Sequence, residues 1–163
     1  MGLYLLYRVG LWLNAVLPRR LCFRVVQCLA DWYCRLAPTD RAAVRSNLSV
    51  LLSKPVRDED PCVREVFRHF GWYLAEFFRG HHQDLPVAIT GYDHVRSASA
   101  AHPGCIMLTG HVGNWELGAV ALRQAGFSVS VVALSHPNRR INRLFDRQRR
   151  RCGVGVIPFG TQT

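Results

Sequence analysis

An imidazole and a carboxylate stand five residues apart in His111-Val112-Gly113-Asn114-Trp115-Glu116, the stretch of this chain best equipped for chemistry. A histidine so placed can take the proton of an attacking hydroxyl, and a neighbouring acid can steady the ring by accepting its other N–H. Gly110 and Gly113 bracket the histidine and permit a tight turn or close approach of a substrate. Asn114 suits the cap of a following helix, which puts Glu116 in the first helical turn beside exposed backbone donors. His111 precedes that helix, so helical periodicity does not fix its distance from Glu116. A satisfied structural histidine is the competing reading.

Other chemistries lack their residues. No H-E-x-x-H or His-x-x-His pattern is present, and the adjacent His81 and His82 before Asp84 read as an exposed polar loop. No serine sits in a G-x-S-x-G elbow, and no G-x-G-x-x-G phosphate cradle occurs. Six cysteines, Cys22, Cys28, Cys34, Cys62, Cys105 and Cys152, form no C-x-x-C and lie mostly in apolar segments. They read as reduced, buried thiols of a cytosol-facing protein. Direct attack by a substrate hydroxyl, without a covalent enzyme intermediate, is the economical mechanism.

A second cluster follows, with Arg139, Arg140, Arg143, Arg147, Arg149, Arg150 and Arg151 set against Asp146. Ile141, Leu144 and Phe145 give this helix an apolar side, and the arginines a face able to grip phosphates bidentately. A solvated basic face is the plainer alternative. Duplex DNA stays open as a partner for this face, although no helix-turn-helix, zinc finger or RNP signature accompanies the charge.

These groups need a scaffold. The 163 residues allow one domain with a real core, and 49% apolar composition excludes a disordered chain. The net charge of +10 rests almost wholly on arginine, since Lys54 is the single lysine, and it favours anionic partners: nucleic acid, lipid headgroups or an acidic carrier protein.

From residue 3 to 17 the only charge is Arg8, and Pro18-Arg19-Arg20 closes the run. A second apolar stretch, 21–34, carries Arg24 and Asp31. The first is short for a span, which needs roughly 20 residues. Residues 1–35 therefore read as a short membrane anchor and an interfacial helix, with Arg8, Arg19, Arg20 and Arg24 toward lipid phosphates. Two ordinary buried helices are the alternative.

Helices are expected at about 40–52 and from Pro61 toward Gly80, with Gly71 a weak point in the second. Strands at 87–89, 105–109, 129–134 and 154–157 then alternate with helices at 92–100, 114–125 and 138–151. That is the pattern of an α/β fold, a mostly parallel sheet with packed helices, over residues 36–163. His111 would sit at the carboxyl end of a strand, where such folds gather functional groups. The chain stops with a sheet just under way, and reads as the first part of a longer protein.

The segments Gly91-Tyr92-Asp93-His94-Val95 and Ile106-Met107-Leu108-Thr109-Gly110-His111-Val112-Gly113-Asn114-Trp115-Glu116-Leu117-Gly118 resemble the bacterial lipid A biosynthesis lauroyl/myristoyl acyltransferase family. Pro137-Asn138 and Arg149-x-Arg151-x-Gly153 also match its pattern, and the resemblance covers essentially the whole chain. It implies O-acyl transfer at the cytoplasmic face of the cell inner membrane. An acyl carrier protein thioester would donate a fatty chain to a hydroxyl of an anionic glycolipid, most often a lipid A precursor.

In that scheme His111 removes the hydroxyl proton and Glu116 orients and polarises the ring. Asn114 and Arg149 would contact substrate, Arg149 by holding a phosphate, with Arg151 as a helper. No metal or cofactor is implied, because the thioester is already activated, and no nucleic acid. A related glycolipid such as a phosphatidylinositol mannoside is an alternative acceptor, and a non-enzymatic basic domain for nucleic acid or anionic membrane is the alternative class. Family members are longer, their second half carrying further strands, so residues 1–163 alone are expected to turn over weakly or not at all.

Overall fold

The computed structural model describes residues 2–79, 87–102 and 104–160. The chain divides into two units, Met1–Arg79 and Gly80–Thr163.

The first unit is helical: α1 (Gly2–Val16), α2 (Arg19–Leu36), α3 (Pro38–Leu51) and α4 (Pro61–Arg79). Proline begins α3 and α4, where its missing N–H costs no helical hydrogen bond. Val63, Ala75, Phe77 and Phe78 form the buried side of α4. Gly71 does not break that helix. A Cβ there would meet Val26 Cγ1 of α2 at 2.8 Å, so the glycine permits close approach of two helices.

Polar groups fasten the same unit. The Asp31 carboxylate of α2 accepts from Arg68 Nε and Nη2 of α4 at 2.6 and 2.7 Å. Buried Asn14 donates to the Ala75 carbonyl at 2.7 Å. Arg79 Nη1 donates to the Asn14 and Leu17 carbonyls at 2.9 and 3.1 Å, covering groups that the end of α1 leaves without helical donors.

The expected N-terminal membrane helices are corrected here. No helix among the described residues is long and apolar enough to cross a membrane. With 15 residues, α1 has a length of about 22 Å against a hydrocarbon core of about 30 Å. The next helix carries Arg19, Arg20, Arg24, Asp31 and Arg35. Asn14 and Asp31, each bonded to α4, show these helices serving as parts of a packed bundle.

The second unit holds α5 (Tyr92–Ala101), α6 (Trp115–Gln124), β1 (Ser130–Leu134), α7 (Arg139–Arg151) and β2 (Gly155–Phe159). The strands pair in parallel, Ser130 opposite Gly155 through Leu134 opposite Phe159, with α7 as the connection. Ala119, Val120 and Val154 form its core, packed by Val129, Val131 and Cys152. Ile141 of α7 is fully buried.

The second unit is thus α/β, its helices accompanying an open parallel sheet of two strands among the described residues rather than the broader sheet expected. Residues 87–89 and 105–109 have the composition of strands but form no ladder among the described residues. Ile106 and Leu108 are 94% and 93% exposed. Apolar, β-branched composition suits a residue to a sheet without supplying the neighbouring strand that a ladder requires. The polar loop predicted at 81–84 lies outside the described residues.

Candidate active site

His111 lies in the loop that enters α6, with its side chain exposed to solvent. Its φ is +53°, a left-handed conformation that histidine tolerates better than most residues, and Gly113 follows at +68°. The His111 N–H donates to Thr109 Oγ1 at 3.3 Å. Its ring lies against Trp115, centroids 4.6 Å apart and planes tilted by 52°. Backbone conformation and an aromatic neighbour thus fix the imidazole at the mouth of the helix.

Asn114 caps α6, its side-chain oxygen accepting from the Leu117 N–H at 3.3 Å. Glu116 stands in the first turn and is 6% exposed. A buried carboxylate requires a partner, and Arg149 of α7 supplies it. Arg149 Nη2 reaches Glu116 Oε1 at 2.5 Å, and Nε reaches the two carboxylate oxygens at 3.2 and 3.1 Å. Asp146, one helical turn earlier, flanks the same guanidinium at 3.5 Å. Charge-assisted, two-pronged bonds of this kind fix geometry as well as add energy.

The arrangement therefore has two levels. Glu116 of α6 and Arg149 of α7 meet as a largely buried pair, while His111 is exposed on the loop that leads into α6. Among the described residues, Glu116 is bonded to Arg149 and not to His111. Arg149, expected to meet substrate phosphate, is engaged by two carboxylates. Arg151 is exposed at the end of α7. The Cys152 thiol is pushed above its usual range by burial, and the nearby Glu116 charge adds to this.

A further polar turn lies at the carboxyl end of β1. The His136 N–H donates to Asn142 Oδ1, and His136 Nδ1 accepts from the Asn138 N–H, each at 2.9 Å. Ser135 Oγ beside them is buried without a hydrogen-bond partner among the described residues. Sequence reasoning missed the involvement of Trp115 and Asp146. Asp146 was findable, because its spacing of three residues from Arg149 puts the two on one helical face.

The family model described as bacterial lipid A biosynthesis acyltransferase matches residues 1–162. The chain belongs to that family. Among proteins of curated function, none matches it. Membership in the lipid A acyltransferase family assigns the chain acyltransferase-type activity in general and a part in lipid A chemistry. His111 and Glu116, at the entrance to α6, lie inside the matched region.

Proposed function

We propose that the protein transfers a fatty acyl chain from an acyl carrier protein thioester to a hydroxyl of an anionic glycolipid, a lipid A precursor. It would act at the cytoplasmic face of the inner membrane, where that acceptor resides. The observation that supports this reading best is a solvent-facing His111 five residues before an anchored Glu116, in a chain matching the family over residues 1–162.

In the proposed step one ring nitrogen of His111 takes the acceptor's hydroxyl proton as the oxygen attacks the thioester carbonyl. The new C–O bond forms, the C–S bond breaks, and the imidazolium returns the proton to the departing carrier thiolate. Glu116 is a positioning residue in this scheme. Held by Arg149, it fixes the first turn of α6, and through it the loop that bears the imidazole. Arg149 acts with Glu116, while Arg151, exposed, is the member of the pair open to a substrate anion. Asn114 sets the start of the helix through its cap.

The test is product stoichiometry. With acyl carrier thioester and the glycolipid, the intact protein should release one carrier thiol for each acyl ester formed on the acceptor. Thiol release without an ester, or no reaction with any carrier thioester, would exclude this function.

A further inference from the structure

Six arginines of α7, Arg139, Arg140, Arg143, Arg147, Arg150 and Arg151, are exposed. At 3.6 residues per turn they fall within an arc of about 120° around the helix and extend about 18 Å along it. Ile141 and Gln148 are buried on the opposite side. Arg149 leaves the helix in another direction, toward Glu116. Asp146, the single acid of α7, lies outside the arc and is engaged by Asn142 and Arg149. Among the described residues, Arg139, Arg143, Arg147, Arg150 and Arg151 have no carboxylate partner. Such a face is costly through self-repulsion and is relieved by a complementary anionic surface.

We propose that this outer face of α7 docks an acidic helical surface on the protein that carries the acyl donor. The inference rests on the reading that the donor is a carrier-protein thioester. The shape of the charge favours such a partner. One phosphate is satisfied by one or two guanidiniums, whereas a line of arginines matches carboxylates repeated three and four residues apart on an acidic helix. A lipid surface suits the face less well. A helix lying in a membrane interface needs apolar side chains free to enter it, and α7 turns Ile141 into its own core. Docking there places the carrier on the helix whose other side holds Glu116 through Arg149.

The experiment compares wild-type protein with Arg143→Glu/Arg147→Glu/Arg150→Glu for binding to acyl-loaded carrier protein at low and moderate salt. The expected result is a loss of affinity of about tenfold or more, with a flatter salt dependence, because surface charges act mainly through long-range attraction. Helix content should be unchanged. If it falls, Arg143→Gln/Arg147→Gln/Arg150→Gln makes the same comparison with a smaller expected loss.

Equal carrier affinity in wild type and variant would overturn the docking face while leaving the carrier-donor reading intact. Absence of carrier binding by wild type would overturn both. Vesicles of phosphatidylglycerol and phosphatidylcholine supply the other arm. Lost vesicle binding with retained carrier affinity would assign the face to lipid and reject the proposal.

Discussion

The Glu116–Arg149 pair combines low exposure with two-pronged contact, 6% and 15% of the two side chains remaining accessible. Removing one member leaves the other buried without its partner, which costs about 3–5 kcal/mol. Arg149→Ala is therefore expected to lower unfolding stability by about that amount, measured by urea titration. Glu116→Leu/Arg149→Met should recover much of the loss, because neither charge then remains to be desolvated. A double variant no more stable than Arg149→Ala would contradict this account. The motif was visible in the sequence as residue types, and so was the Asn114 cap. The pairing of Glu116 was not, because its partner lies 33 residues away and only the tertiary fold brings the two side chains together.

At the scale of elements, the crossing of α2 and α4 depends on the absence of a side chain at Gly71. A larger residue must displace Val26, so Gly71→Leu should cost about 1–3 kcal/mol through overpacking, despite leucine's better helix propensity. Thermal unfolding monitored by helix signal checks this, and an unchanged or raised midpoint would show that the helices can separate freely. Local signals made most helices legible: Pro61 at a first turn, the apolar period of α4, and Asn114 at a helix start. Gly71 looked like a weakness because propensity counts only its entropy and not the close contact it permits. The strand expected at 105–109 failed for a related reason, since pairing belongs to the sheet and not to the segment.

At the scale of the molecule, the +10 charge and the apolar residues near the start were legible at once. How the charge is distributed was not. Some arginines close helix ends or pair inside a unit, as Arg79 and Arg68 do, and others form the outer face of α7. The apolar start suggested lipid because composition does not reveal that Asn14 and Asp31 bond to α4.

The Asp31–Arg68 bridge gives the first unit a pH signature. Hydrogen bonding from Arg68 holds the Asp31 carboxyl below its usual range. A carboxylate whose folded pKa is depressed contributes stability that is complete above its unfolded pKa, about 3.9, and is lost as pH falls through the folded value. Asp31→Asn should therefore be less stable than wild type at neutral pH, with the difference in melting temperature shrinking as pH drops below about 4. A difference independent of pH would contradict the assignment.

The central claim concerns His111 as the base, and a single-turnover acyl-transfer assay tests it most directly. With acyl carrier thioester and glycolipid acceptor bound, His111→Ala in the intact protein should slow ester formation by about 10²–10⁴-fold while the fold and carrier affinity are retained. Transfer by that variant within a few-fold of wild type would show that another group takes the hydroxyl proton.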